Sequence, residues 1–201
     1  MPRHILALVT ATLLAGWSIA ARATVLVPAD LVELSRGAVL IVRGTVTSVT
    51  PQWSEGRRRV ESVVMVDVQQ ALKGEPGKTL AFKVPGGRLG RYRSVMVGAP
   101  SFREGEEVIL FLGARPPAVP YLLGLGQGVY RVQRDERTGE PRVVSPVLVA
   151  GAGQPQRVQR GDPARRALSL DEFASQVRNA IAAGEHDRER RVPGASRGRN
   201  R

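Results

Sequence analysis

The sequence predicts a mainly β fold: a small β-barrel with a short helix ahead of it and an amphipathic helix behind it. Three observations predict it. Six or more short, β-branched runs recur at regular spacing between residues 39 and 148. Turns rich in Gly and Pro separate them, as in small barrels and sandwiches. Gly44 interrupts the first run, where a closing sheet needs a bend or bulge.

The elements follow in order. Arg3, then an uncharged run from Ile5 to Ala20, then Ala21-Arg22-Ala23, reads as a secretory signal peptide over residues 1–23. The run is shorter than the roughly 20 apolar residues that span a bilayer. The expected mature start is Thr24, and the expected location is periplasmic or secreted. Asp30 and Glu33 have the spacing of a capping box and open a short helix. Val39 to Val49 is the first strand, with Leu40, Val42, Val46 and Ser48 on one face. Pro51 to Arg59 reads as a polar turn. Val60 to Leu72 is the second strand, with Val64, Val66 and Val68 facing one way.

Lys73 to Lys78 is a turn, and Thr79 to Val84 a third strand ended by Pro85-Gly86-Gly87. Arg93 to Val97 reads as a short fourth strand. Glu107 to Leu112 is apolar throughout after its first residue, which predicts burial on both faces. Tyr121–Leu123, Val129–Gln133 and Arg142–Leu148 complete the strands, the last two joined by a turn at Asp135–Gly139. The barrel is therefore expected over residues 24–150, with a linker at 151–168. Ser169 and Glu172 form a second capping box. They open a helix over 169–183 with Leu170, Phe173, Val177, Ala180 and Ile181 on one face. Residues 184–201 are charged and poor in large apolar groups, the composition of a disordered basic tail.

Composition excludes several chemistries. The 201 residues carry thirty Lys+Arg against eighteen Asp+Glu, a net charge of +12, and no cysteine. Disulfides, thiolate metal sites and Cys nucleophiles are absent. The two histidines, His4 and His186, lie near the chain ends, so the middle holds neither a His metal site nor a Ser-His-Asp triad. Glu106 and Glu107 are strand neighbours pointing to opposite faces, unsuited to act as an acid/base pair. A Ser–Lys site needs a lysine of depressed pKa. Only Lys73, Lys78 and Lys83 exist: two fall in a turn and Lys83 faces outward. The expectation is a protein that is not an enzyme and uses no cofactor and no metal.

Five strands closed on themselves with a helix form the oligonucleotide/oligosaccharide-binding (OB) type of barrel. Val42-Arg43-Gly44-Thr45-Val46, followed by a second strand ending Ala71-Leu72-Lys73-Gly74, resembles the opening of netrin-like modules. Those are barrels that include the tissue inhibitors of metalloproteinases. Gly105-Glu106-Glu107-Val108-Ile109-Leu110-Phe111-Leu112 is similar to a later strand of the same modules, and the likeness covers Ala38 to Val132. The mature chain also resembles a group of small secreted bacterial proteins with no assigned activity. Four short elements carry that likeness: Leu72–Gly74, Val84–Gly87, Gly98–Glu106 and Gly124–Gly128. The netrin-like resemblance implies an inhibitor or partner of a secreted metalloprotease. Such inhibitors pin a first-residue Cys by a disulfide, and here the expected first residue is Thr24 with no Cys anywhere.

Two arginine clusters are the candidate binding residues. Arg88, Arg91 and Arg93 flank Tyr92. Arg57, Arg58 and Arg59 follow Trp53. If the strands between them are adjacent, both lie at one rim of the barrel. Guanidinium groups grip phosphate, sulfate or carboxylate through paired N–H donors, and an aromatic between them stacks on a sugar. Export and scarce aromatics disfavour nucleic acid. The reading is an exported, non-catalytic binding or interaction module of the cell envelope, for an anionic polymer or an acidic protein. Gly124-Leu125-Gly126-Gln127-Gly128 lacks the Lys-Ser/Thr of a phosphate loop and reads as a tight turn.

Overall fold

In a computed structural model of the chain, residues 29–114, 119–146 and 166–191 are described. The expected signal peptide, most of the linker and residues 192–201 lie outside them. Helix α1 (Leu31–Gly37) opens with the expected capping box. The Asp30 carboxylate accepts the Glu33 N–H at 2.7 Å. At the other end, the Lys73 ammonium donates to the Ser35 carbonyl at 2.9 Å. A cation there offsets the negative end of the helix. Lys73 is thus a helix clamp rather than a solvated turn residue.

Strands β1 (Leu40–Trp53) and β2 (Val60–Lys73) form a long antiparallel hairpin. β3 (Thr79–Pro85) pairs with β2. β4 (Gly87–Leu89) and β5 (Tyr92–Ser94) form a separate two-stranded hairpin. β6 (Glu107–Gly113) pairs with β1 on one edge and with β7 (Tyr121–Leu122) on the other. β7 meets β3 in parallel at Lys83 and Tyr121. The pairings β1-β2-β3-β7-β6 and back to β1 therefore trace a ring. It is a partly open barrel, closed on one side by that single pairing. β8 (Val129–Arg134), β9 (Pro141–Val144) and β10 (Leu168–Ser169) extend the sheet from β6 away from the ring.

The β1–β2 ladder has register shifts at Ile41/Val42, at Arg43/Gly44 and between Val46 and Ser48. The one at Gly44 is the expected irregularity. A Cβ on Gly44 would come within 2.6 Å of a Val66 methyl. The last shift skips Thr47 and changes the phase of the strand. Val49, not the expected Ser48, then packs against the barrel core. β1 also continues past Pro51 to Trp53, beyond the expected turn. Pairing with β6 stops at Thr45, so this part of β1 has one ladder edge, where a residue without N–H is tolerated.

Two cores flank the sheet. Val42, Val46, Val64, Val66, Phe82 and Leu110 fill the ring. On the outer face Ile41, Ile109 and Phe111 pack with Tyr130, and with Phe173 and Val177 of helix α2 (Leu170–Arg191). β6 is thus buried on both faces, as its unbroken apolar run predicts. The second capping box is also present, with the Glu172 N–H donating to the Ser169 hydroxyl at 3.2 Å and the Ser169 N–H to Glu172 at 3.0 Å. α2 runs eight residues beyond the expected end at Ala183. Gly184 is a contact rather than a stop: a Cβ there would lie 2.8 Å from Arg36 Cγ of α1.

Candidate binding site at the barrel rim

The rim begins with the turn between β1 and β2. Gly56 and Arg57 take positive φ of 76° and 52°. The Arg57 N–H donates to the Ser54 carbonyl at 2.9 Å, and the Ser54 N–H to the Arg59 carbonyl at 2.8 Å. This tight turn displays Arg57, Arg58 and Arg59 to solvent. Arg57 is not glycine, so its left-handed backbone carries a modest steric cost.

The second part is the β4–β5 hairpin. Gly86 and Gly87 have φ of 104° and 139°, conformations that belong to glycine. They turn the chain out of β3 and across the β1–β2 hairpin. The Ser62 hydroxyl donates to the Gly86 carbonyl at 2.9 Å and the Gly86 N–H to the Val60 carbonyl at 3.0 Å. A Cβ on Gly87 would sit 2.6 Å from the Ser62 oxygen. The Val84–Gly87 element thus lays the hairpin against β2. The sequence ends the third strand at Pro85-Gly86-Gly87 and predicts the next over Arg93–Val97. Instead Gly87–Leu89 pairs with Tyr92–Ser94, and residues 95–97 leave the ladder. The hairpin is a two-stranded sheet of its own, so nothing pairs with the chain beyond Ser94.

Trp53 and Tyr92 join the two parts. Their rings lie edge to face with centroids 5.0 Å apart. The Arg91 guanidinium carbon is 5.1 Å from the Tyr92 ring centroid, and its Nη2 donates to the Tyr92 hydroxyl at 3.0 Å. Arg88 and Arg93 are direct cross-strand partners. Like charges in that register repel. Among the described residues, no ion pair involves any of the six rim arginines. Arginines of the sheet behave differently: Arg43 binds Glu107 at 2.5 Å, and Arg131 binds Glu106.

Arg88 and Arg93 also line a cleft of about 410 Å³. Its other walls include Val49, Val84 and Phe102, with Met96 and Ser101 beside them. The volume falls in the range of small-molecule sites. Two of the four resemblance elements, Val84–Gly87 and Gly98–Glu106, contribute to these walls. Of the expected site residues, Arg88 and Arg93 line the cleft, Trp53 and Tyr92 touch, and Arg57, Arg58 and Arg59 stand on the β1–β2 turn; the cleft wall at 95–102 is the part that sequence reasoning missed. The exposed run Val95-Met96-Val97 was its only trace.

The glycine-rich element at 124–128 has a different job. It is a 3-10 turn, Leu125–Gly128, with Gln127 buried. The Gln127 side-chain oxygen accepts the Ala29 N–H at 2.7 Å and ties the start of the described chain to the barrel. Gly126 donates its N–H to the Gly98 carbonyl at 2.8 Å, which anchors the cleft wall.

Lys83 faces outward as expected and binds Glu61 at 2.9 Å. That hydrogen bond and charge raise the Lys83 pKa, opposite to the shift an activating lysine needs. Burial opposes ionisation of Glu61, but hydrogen bonds from Lys83 and Gln52 and the Lys83 charge outweigh it and hold the carboxyl below its ordinary value. Among the described residues no three His, Cys, Asp or Glu side chains gather to hold a metal ion, and no helix is long and apolar enough to cross a membrane. Compared with protein-family models and with curated proteins, the chain matches none.

Proposed function

We propose that this protein is an exported, non-catalytic binding module of the cell envelope whose arginine-rich rim takes an anionic polymer or an acidic protein surface. The observation that carries the reading is the rim itself. Six exposed arginines lie on two segments whose Trp53 and Tyr92 rings touch, and none of the six has an ion-pair partner among the described residues. Holding Arg88 opposite Arg93 costs stability in the free protein. An anion bound between them offsets that repulsion and accepts paired N–H donors. The signal-like N-terminus supports export, which puts phosphate- and carboxylate-bearing envelope polymers within reach. Field from so many like charges also speeds encounter with a polyanion.

The test is co-sedimentation with envelope fractions across a salt series. Arg88→Ala/Arg91→Ala/Arg93→Ala is expected to bind at least tenfold more weakly at low salt, with an unchanged far-ultraviolet circular dichroism spectrum. The three side chains are exposed and outside both cores. Co-sedimentation equal to the parent at low and moderate salt rules the rim out as the binding site.

A further inference from the structure

We propose, resting on the anion-binding rim of that reading and going beyond the two occupants named there, that the rim also docks on an anionic lipid surface, whose headgroups meet the arginines while Val95, Met96 and Val97 enter the acyl region. The segment leaving β5 is apolar and open to solvent. Val95 is 74% exposed and Val97 79%, the highest of the exposed large hydrophobic residues. Met96 is 37% exposed and also lines the cleft. Such side chains scattered singly need no explanation; three in succession beside a charged cluster do.

Their surroundings decide the occupant. From Gly86 to Pro100 the chain holds three arginines and no carboxylate. Glu55 is the lone acid in the other segment, Trp53–Arg59. A hydrophilic polyanion satisfies the arginines and leaves Val95 and Val97 in water. A protein partner would need an acidic face and an apolar patch of matching shape side by side. An anionic bilayer offers both, a charged layer and an apolar one. Peripheral binding of this kind scales with apolar area inserted plus attraction to anionic headgroups. Tyr92 lies among the arginines with Trp53 against it, and such amphipathic rings are favoured at a membrane interface.

The experiment compares two probes: vesicles of phosphatidylcholine with and without phosphatidylglycerol, and soluble polyphosphate. The purified protein is expected to bind phosphatidylglycerol-containing vesicles and polyphosphate, but not phosphatidylcholine alone. Val95→Ser/Val97→Ser is expected to lose about tenfold or more in vesicle affinity, on the scale of burying one such side chain, and to keep parental affinity for polyphosphate. Both residues are exposed, so thermal unfolding serves as the check that the fold is intact. The fluorescence of Trp53 is expected to shift to the blue with vesicles and not with polyphosphate. Parental vesicle binding by the double variant, or polyphosphate binding without vesicle binding, overturns the lipid inference and leaves the anionic rim standing. Parental binding of both probes by Arg88→Ala/Arg91→Ala/Arg93→Ala overturns the rim reading itself.

Discussion

Arg93 stands opposite Arg88 in a hairpin that has no carboxylate to separate them. A single substitution therefore tests stability and binding in opposite directions. Arg93→Glu replaces a repelling pair by an attracting one, worth about 0.2–1 kcal/mol. Unfolding by urea is expected to show stability equal to or slightly above the parent, while affinity for a polyanion falls at least tenfold. Loss of stability with retained binding would invert the roles assigned here. Phe111 is a contrasting residue, fully buried between Tyr130 and Phe173, with ring centroids at 5.5 and 6.4 Å. Phe111→Ala is expected to cost about 3–5 kcal/mol of unfolding free energy. Tyr130 beside it has its pKa pushed up to about 12 by burial, with the Asp30 charge adding to the effect. The folded state then holds that proton where the unfolded chain has released it. Its contribution to stability is fully present below pH 10 and is lost as pH rises toward 12. In denaturation series over that window, Tyr130→Phe is expected to lose less stability than the parent; equal slopes would show that Tyr130 does not titrate as described.

At the level of elements, what could be read from the chain was local. Both capping boxes need only residues three apart, and both are present. Ser169→Ala is expected to lower stability by about 1 kcal/mol, seen as a lower thermal midpoint. The burial of β6 on both sides was also visible, because its apolar run has no polar face to expose. Tertiary causes stayed hidden. Nothing around Thr47 announces a bulge, so the phase change that packs half-buried Val49 against the core had no local signal. Tyr92 to Val97 has the composition of a strand, yet the ladder stops at Ser94 for want of a neighbour. Gly184 has the look of a helix terminator, and only the approach of α1 explains why α2 continues. At the candidate site the two arginine clusters were visible as composition. The Trp53–Tyr92 contact, which links the two segments and on which the shared rim we propose depends, joins residues far apart in the chain.

Across the whole molecule, the two cores divide the labour. The ring holds β1, β2 and β3 in place, and the helix-covered outer face steadies β1 and β6. The β4–β5 hairpin and the β1–β2 turn lie outside both cores and carry six exposed arginines. A site built this way changes affinity without loss of fold, which lets charge be removed cleanly. The most direct measurement is the salt dependence of polyphosphate affinity for the parent, for Arg57→Ala/Arg58→Ala/Arg59→Ala and for Arg88→Ala/Arg91→Ala/Arg93→Ala. Each cation engaged by a polyanion releases condensed counterions and steepens the slope of log affinity against log salt. If both segments grip one ligand, each triple variant flattens that slope and binds more weakly at low salt. A parental slope in either variant would contradict the single shared rim.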